Sequence, residues 1–157
     1  MEELKSMRKI DEMKRIINRI EKIYDGIIIN ESGEDSFQTP KEQVLNFFRC
    51  CYELKENIKI EFPQLRQIIE KEIDKNIRIS IVLDGANQEK HGNLNNSRSQ
   101  KAIGKINTHI HIFDPNGKKD RTELTIEIDN NKIDCLDLLK KAKTERDGIL
   151  NKLNLVL

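Results

Sequence analysis

Aromatic residues are scarce in this chain. Tryptophan is absent, and phenylalanine and tyrosine together supply only 4% of the 157 residues. Isoleucine and leucine are plentiful, so we expect a core made of aliphatic side chains. Charged residues account for 35% of the chain, which predicts an unusually polar surface around that core.

Cysteine is also rare. Cys50 and Cys51 are adjacent, and Cys135 lies far from them along the chain. This spacing suits neither a disulfide framework nor a zinc site built from paired cysteines. A cysteine nucleophile would need a histidine nearby, whereas Cys50 and Cys51 lie on an apolar helical stripe. We therefore expect buried, reduced thiols in the core.

Neither sign of charge dominates, because 28 lysine and arginine residues nearly balance 27 aspartate and glutamate residues. The broad positive field of a protein that holds nucleic acid mainly by its phosphates is therefore missing, and only a small local patch fits this balance. Glycine-rich phosphate loops, the Gly-x-Ser-x-Gly elbow and the His-Glu-x-x-His motif are absent as well. The familiar nucleotide-binding and hydrolase classes are thus disfavoured, and we expect no cofactor.

Long apolar segments are missing too. No segment approaches the roughly 18 apolar residues of a membrane-spanning helix. The first residues, MEELKSMRKIDEMKRI, carry charges throughout, unlike a signal peptide. We expect a cytoplasmic protein with no membrane partner.

The length predicts a single domain over residues 1–157 that folds without disulfides or metals. Its first element should be a long amphipathic helix, because apolar residues recur every three or four positions. These residues are Leu4, Met7, Ile10, Met13, Ile17, Ile20 and Tyr24. Gly26 can end the helix in the left-handed conformation, and residues 25–38 are then predicted to be a flexible connector.

Core helices are predicted over residues 39–91. Thr39, Pro40 and Glu42 match a capping box with proline at the first helical position. The apolar stripe of the helix that follows comprises Val44, Phe47, Phe48, Cys51, Leu54 and Ile58. Pro63 ends this helix and can open a third one. The third helix should turn inward Leu65, Ile68, Ile69 and Ile73.

Residues 77–83 have an ambiguous pattern. Isoleucine alternates strictly with polar residues over residues 77–80, as in a strand, whereas the flanking segments are typical of helices. The local pattern slightly favours a strand, and a helix is the alternative.

A β-hairpin is predicted over residues 104–129 and a last helix, capped by Asp134, over residues 134–153. The apolar face of the first hairpin strand comprises Ile106, Thr108, Ile110 and Ile112. That of the second strand comprises Leu124, Ile126 and Ile128. These faces coincide only if paired residue numbers add to an even total, as when Ile110 lies opposite Ile126 or Leu124. The predicted fold is therefore mainly α, a helical bundle of four to five helices with one antiparallel β-hairpin before the C-terminal helix.

His109 and His111 are a candidate metal pair, because two residues spaced two apart on a strand project from the same side. The glutamate that a cupin-like site needs a few residues later is missing. Pairing of the two histidines with Glu123 or Glu127 across the hairpin is the simpler interpretation, and we expect no metal.

Several basic residues could contact phosphates. Arg98 and Lys101 belong to the polar loop before the hairpin, and Lys118, Lys119 and Arg121 follow the hairpin turn. Acidic residues are interleaved with the group after the hairpin turn, and no aromatic ring is available for base stacking. A solvated surface is therefore the alternative.

Asp84, Asn87 and His91 form the most suggestive cluster. On a helix they lie three and four residues apart and share one face. An aspartate that accepts a hydrogen bond from an imidazole can fix its tautomer and raise its basicity, as general-base catalysis requires. The alternative is a polar helix end, with Lys90 and His91 near the negative pole of the helix dipole.

The stretch that contains Asp84, Ala86, Asn87, Lys90 and His91 resembles the Asp-x-Ala-Asn-x-x-Lys-His stretch of a group of bacterial helical proteins related to the HEPN superfamily. The segment FFRCCYELKENI, residues 47–58, is similar to the helix that precedes it in that group. The hairpin and closing helix follow in the same order, so the likeness covers about residues 40–153. It implies that residues 77–91 form a helix.

The superfamily implies RNA cleavage in toxin or phage-defence settings, usually by homodimers. Its nuclease signature is an arginine followed by a histidine after four to six residues. The corresponding positions before His91 hold Ala86, Gly85 and Asp84, so that arginine is absent. A ribonuclease needs a cation at the scissile phosphate, and only Lys90 is close.

We therefore expect a HEPN-like protein of a bacterial defence or toxin-related system that binds RNA or a partner protein and forms a homodimer. Its candidate catalytic residues are Asp84, Asn87 and His91. Its candidate binding residues are Lys90, Arg98 and Lys101. The absent arginine argues against the standard ribonuclease activity, and the alternative hypothesis is a non-catalytic adaptor or oligomerisation module.

Overall fold

Five helices and one three-stranded sheet make up the part of the chain that the computed structural model describes, which comprises residues 4–26, 39–92, 97–111 and 121–155 without the side chain of His111. The helices are α1 (Lys5–Tyr24), α2 (Pro40–Glu61), α3 (Arg66–Asp74), α4 (Ile77–His91) and α5 (Cys135–Lys152). The strands are β1 (Ile103–His111), β2 (Arg121–Ile128) and β3 (Asn131–Asp134). The predicted mainly α class, with antiparallel strands before the last helix, is confirmed.

The ends of α1 and α2 follow their local signals. Gly26 has φ 75° just after α1, as the sequence predicts. At the start of α2 the backbone N–H of Glu42 donates to Thr39 Oγ1 at 3.2 Å, and the backbone N–H of Thr39 donates to Glu42 Oε2 at 3.1 Å. The predicted capping box is therefore present, and a cap of this kind contributes about 1 kcal/mol.

Helices α1 and α2 pack against each other and bury most of the predicted stripes. Ser6, at the start of α1, donates from its backbone N–H and its hydroxyl to the carboxylate of Glu61 at the end of α2. No side chain of α1 caps its own first turn, so Glu61 satisfies a donor that would otherwise lack a partner. This contact places the first turn of α1 beside the last turn of α2.

Residues 77–83 lie in the helix α4, so the strand favoured by the local pattern is wrong. Residues 79–86 are all buried, and a helix that is surrounded by protein lacks the polar stripe that gives a helical period. The alternation of isoleucine with polar residues at 77–80 was therefore not a sheet signal. At the start of α4 the backbone N–H groups of Arg78 and Ile79 donate to Glu145 of α5 at 3.0 and 3.3 Å.

Helix α3 begins at Arg66, after a 3₁₀ turn at Pro63–Leu65, and one residue of its predicted inward face is exposed. Ile69 and Ile73 are 3% and 4% exposed, as predicted, whereas Ile68 is 45% exposed. The helix is only nine residues long, and it presents a narrower apolar face to the core than the pattern suggested.

From Ile106 onwards β1 pairs with β2 in a register whose residue numbers add to an even total, as predicted. The register shifts between Ile103 and Ile106, so that Ile103 lies opposite Ile128. The offset differs from the examples considered, because Ile110 lies opposite Thr122 rather than Leu124 or Ile126. Leu124 and Ile126 are almost fully buried, whereas Ile110 is 67% exposed. The predicted turn at residues 114–117, like most of the predicted connector at 25–38, lies outside the described residues.

A third strand, β3, extends the predicted hairpin. Asp129 and Asn130 have φ values of 50° and 67°, which is typical of a tight two-residue turn between antiparallel strands. The strand leads directly into α5, whose first turn is capped by Asp134 as predicted.

Tyr24 connects the first helix to the end of the chain. Its hydroxyl accepts the backbone N–H of Leu124 at 3.0 Å and donates to the carboxylate of Asp134 at 2.8 Å. One polar group thereby joins α1 to β2 and to the residue that caps α5. None of the helices in the described residues is long and apolar enough to cross a membrane.

Gly85 allows α2 and α4 to come close together. A Cβ atom at this position would lie 2.6 Å from Cδ2 of Phe48, and the Phe48 ring is only 1% exposed, so it has little room to move. The backbone of α4 therefore lies directly against the Phe48 ring.

We expect Gly85→Ala to lower the free energy of unfolding by about 1–3 kcal/mol, because the added methyl group overpacks the core. Gly148→Ala in α5 is the matched control, since no atom lies within 4 Å of the position that its methyl group would take. Alanine there should stabilise the chain by up to about 1 kcal/mol through helix propensity. Urea unfolding followed by circular dichroism measures both values, and equal stability of the two variants would contradict the close contact.

Candidate functional site

A surface groove lies between the helices α2 and α4 and has a volume of about 430 Å³. Its size falls in the range of pockets that hold small ligands. The side chains that line it and carry polar or aromatic groups are Arg49, Tyr52, Glu53, Asn87, Glu89 and Lys90. Two of the predicted site residues, Asn87 and Lys90, thus face the same groove. We refer to it as the α2–α4 groove.

Helical spacing places these side chains on the two walls of the groove. Arg49 and Tyr52 are three residues apart on α2, and so are Asn87 and Lys90 on α4, which puts each pair on one helix face. The contact between Phe48 and Gly85 lies beside these positions in the sequence and fixes the distance between the walls. The groove is therefore a product of the close packing of α2 and α4.

The aromatic ring of Tyr52 is flanked by two cations. The Nζ atom of Lys55 lies 5.0 Å from the ring centroid and that of Lys90 lies 5.7 Å from it. Lys55 also forms ion pairs with Glu56 and Glu70. Among the described residues Lys90 has no carboxylate within ion-pair distance, so its charge is not neutralised by the protein.

Asn87 supplies a polar group that has no hydrogen-bond partner among the described residues. The residue is half-buried in the wall of the groove, and its amide forms no hydrogen bond to the other described residues. A half-buried amide offers two donors and an acceptor to a ligand. Together with Lys90 it makes this part of the groove able to bind a polar or anionic group.

The two acidic side chains of the groove are both paired. Glu89 binds Arg49, and Glu53 binds Lys9 of α1. The groove is therefore close to neutral overall, and its uncompensated charge is that of Lys90.

Asp84 does not contribute to this groove. It is 1% exposed, and its carboxylate accepts the backbone N–H groups of Arg98 and Ser99, each at 2.8 Å, and the hydroxyl of Ser99 at 2.5 Å. These bonds anchor residues 98–99 to α4. His91 is exposed at the end of α4, and no hydrogen bond joins it to Asp84 or Asn87. The structure therefore brings Asn87 and Lys90 together but leaves Asp84 and His91 apart from them.

The predicted binding residue Arg98 is engaged within the protein. Its guanidinium group binds Glu70 and Asp74 of α3, with 2.9 Å to Asp74. Glu70 also binds Lys59 at 2.5 Å. Burial would raise the pKa of Glu70, but the cations around it, Lys59 and Arg98 above all, lower this pKa to about 2. Arg98 thus holds its loop against α3.

Lys101 and the basic residues of the hairpin are placed elsewhere. Lys101 pairs with Asp129 of the β2–β3 turn at 3.3 Å, and Arg121 pairs with Glu123 at 3.2 Å. Lys118 and Lys119 lie outside the described residues. Neither Lys101 nor Arg121 lines the α2–α4 groove.

The histidine pair is described only in part. A ring nitrogen of His109 lies 3.2 Å from the hydroxyl of Thr125, and Glu123 is the residue opposite His109 in the sheet. The side chain of His111 is outside the described atoms. Within the described part of the chain, no group of three His, Cys, Asp or Glu side chains is placed to bind a metal ion.

The cysteines are core residues, as predicted. Cys50, Cys51 and Cys135 are all buried, and this burial raises the pKa of each thiol to about 12. A thiol with such a pKa is protonated at neutral pH and is a poor nucleophile.

Sequence reasoning missed Tyr52 and Arg49. Both lie in the segment used for the resemblance and outside the apolar stripe of α2. Arg49 is on the polar side, whereas Tyr52 borders the stripe and is half-buried against the core. A single aromatic residue beside charged residues at the edge of the stripe was the available signal. The position of α4 decides whether such a ring faces a groove, and the sequence did not supply that position.

Comparisons of this chain with family models, with curated proteins and with solved structures found no match. The resemblance to HEPN-related proteins therefore stays a prediction, and the function must be argued from the geometry.

The ion pairs of Glu70 with Lys55, Lys59 and Arg98 predict how the stability of the protein depends on pH. Because the pKa of Glu70 in the folded state is below its usual value of 4.5, its contribution is present above about pH 4.5 and disappears as the pH falls towards about 2. Glu70→Gln should therefore cost about 1–2 kcal/mol near pH 7, allowing for solvent screening, and clearly less near pH 3.

Glu56→Gln is the control for this prediction. Glu56 contacts the same two lysines, with the same 3.4 Å to Lys55 but 3.9 Å rather than 2.5 Å to Lys59, and it is more exposed. Urea unfolding of both variants at the two pH values measures the effect. A loss for Glu70→Gln that is the same at both pH values would show that its charge does not contribute as we describe.

Proposed function

We propose that this chain is a HEPN-like protein that binds single-stranded RNA in the α2–α4 groove without cleaving it. The observation that carries this proposal is the ring of Tyr52 beside the ammonium group of Lys90, which has no carboxylate partner among the described residues. An aromatic ring next to unneutralised positive charge is the combination that proteins use for single-stranded nucleic acids.

A base can stack on the Tyr52 ring while the adjacent phosphates bind the lysine side chains. Base–aromatic stacking contributes about 1–3 kcal/mol, whereas an exposed cation–π contact contributes about 0.5–1 kcal/mol. A base therefore competes well for the ring face, and the ammonium group of Lys90, once displaced, can bind the phosphate. The Tyr52 ring then contacts a base and the ammonium group of Lys90 contacts a phosphate, and each of these contacts is stronger than the cation–π contact of the free protein.

Asn87 can bind the edge of the stacked base. RNA recognition modules read the exposed edges of unstacked bases by hydrogen bonds, and a side-chain amide supplies both a donor and an acceptor. A duplex hides these edges and its base faces, so the groove suits a single strand rather than a helix.

The arrangement of Asp84 and His91 supports binding rather than catalysis. The carboxylate of Asp84 is occupied by Arg98 and Ser99, so it does not orient the imidazole of His91. The arginine of the superfamily signature is also absent from the sequence. A single exposed imidazole supplies neither the paired acid and base nor the cation that phosphodiester cleavage requires.

The cellular setting in this proposal rests on the resemblance alone. A HEPN-like RNA-binding protein would act in a bacterial defence or toxin-related system, in the cytoplasm, by recognising RNA for a partner that carries the enzymatic activity.

Self-association is a second candidate function, and Ile110 is the observation that favours it. This residue is 67% exposed although it shares a strand face with the buried Ile106. A second copy of the chain that covers Ile110 would extend the buried side of the sheet. The resemblance also implies a homodimer, although not one through this strand.

We expect the full chain to bind a short single-stranded RNA, and Tyr52→Ala to weaken this binding by about 1–3 kcal/mol because stacking is lost. Tyr52→Phe retains the ring and should bind nearly as well as the wild type. Lys90→Gln should lower the slope of log affinity against log salt concentration by about 0.7, the value for one phosphate contact on a single strand. Fluorescence anisotropy titrations at several salt concentrations measure these effects.

Lys132→Gln is the matched charge control, because Lys132 is exposed on β3 and does not line the groove. It should change neither the affinity nor the salt slope by as much as Lys90→Gln. The proposal is wrong if Tyr52→Ala, shown to be folded, binds RNA like the wild type. RNA degradation that is lost in His91→Ala would contradict the non-catalytic part.

If Ile110 forms a homodimer contact, Ile110→Asp should shift the dissociation constant of the dimer upwards by about tenfold or more, because a charge replaces a buried apolar side chain. Light scattering on a concentration series measures the mass of the wild type and the variant. A wild-type chain that is monomeric throughout the series would dismiss this second candidate.

A further inference from the structure

We infer that Arg49 is a phosphate subsite of the α2–α4 groove and that Glu89 masks it in the free protein. The inference rests on the proposed function, since it concerns the same groove. The ligand is a nucleotide that carries a phosphate next to the base on Tyr52, and the carboxylate of Glu89 competes with that phosphate for Arg49.

The geometry of the pair is that of anion recognition by arginine. The Nε atom of Arg49 lies 3.3 Å from Glu89 Oε2, and its Nη2 atom lies 3.2 Å from Glu89 Oε1. Two nitrogens of one guanidinium group thus face the two oxygens of one carboxylate. Arginine presents the same two-pronged arrangement to phosphate oxygens, so Glu89 occupies the place that a phosphate would take.

The pair is exposed enough to open. The side chain of Arg49 is 50% exposed and that of Glu89 is 30% exposed. Exposed ion pairs contribute little to stability because water screens them, and the oxygens of a nucleotide phosphate can compete with a single carboxylate. The guanidinium group of Arg98, in contrast, is held by two carboxylates and is only 22% exposed.

Position makes Arg49 suitable for a phosphate beside the stacked base. Arg49 precedes Tyr52 by three residues on α2, so the two side chains are neighbours on one helix face. Glu89 precedes Lys90, whose ammonium group lies near the Tyr52 ring. When a phosphate displaces Glu89, Arg49 and Lys90 can bind it from the two walls of the groove, and Glu89 repels it until the displacement occurs.

The test compares adenosine with adenosine 5′-monophosphate on the full-length chain. We expect Glu89→Gln to bind the monophosphate about three- to tenfold more tightly than the wild type, because one exposed competitor is removed. Adenosine has no phosphate, and its affinity should not change. In the double variant Glu89→Gln, Arg49→Ala the gain in affinity for the monophosphate should disappear, because the guanidinium group that Glu89 masks is no longer present.

Glu53→Gln is the matched control for net charge. Glu53 is the other acidic residue of the groove, and its partner is Lys9 rather than Arg49. A gain in Glu53→Gln as large as that in Glu89→Gln would overturn the inference, since the effect would then be one of general charge. A gain for adenosine as large as that for the monophosphate would overturn it as well.

The failure of this inference can be told from the failure of the proposed function. If the wild type binds single-stranded RNA through Tyr52 but Glu89→Gln binds the monophosphate no more tightly, only the masked subsite is wrong. If neither the RNA nor either nucleoside probe binds to the wild type or to Glu89→Gln, the proposed function falls and the subsite falls with it. Isothermal titration calorimetry measures the affinities.

Discussion

The contact between the ring of Phe48 and the bare backbone at Gly85 is the constraint on which the rest of the molecule depends. A methyl group at Gly85 would lie 2.6 Å from the ring, so α2 and α4 are as close together as their backbones and the Phe48 ring allow. The neighbouring residue Asp84 is thereby buried, where it anchors the loop that enters the sheet. The next residues of α4 face α2 across the groove. One small residue thus sets both the core and the surface that we assign to binding.

Polar residues of this chain divide into those that hold the fold together and those that stay available. Asp84, Glu70 and Arg98 all have several partners within the protein, so their charges stabilise loops and helix ends. Asn87 and Lys90 lack such partners among the described residues. A buried charged group must be paired to be tolerated, whereas a functional group on a surface gains from having no internal partner. The second property, rather than chemical type alone, marks the groove as the candidate site.

Local signals allowed much of the fold to be predicted, and tertiary contacts explain what could not be. The capping box at Thr39 and the caps near Gly26 and Asp134 act within a few residues, so the sequence alone reveals them. The local pattern slightly favoured a strand at the start of α4, because a helix that is buried on several sides has no polar stripe. The flanking segments and the resemblance indicated the helix. Asp84 was assigned to a catalytic cluster because its partners, Arg98 and Ser99, lie 14 and 15 residues further along the chain, beyond the end of α4. Tyr52 could not be placed because the groove exists only once α4 packs on α2.

The contacts of the Tyr24 hydroxyl constrain the order in which parts of the protein can fold during synthesis. Its partners Leu124 and Asp134 are about one hundred residues further along the chain. A ribosome completes α1 and α2 long before it reaches these partners, and the two helices can already pack together. The Tyr24 hydroxyl therefore stays hydrated until the sheet and the start of α5 have been synthesised. A contact with residues that are synthesised late thus fixes an element that was among the first to be made.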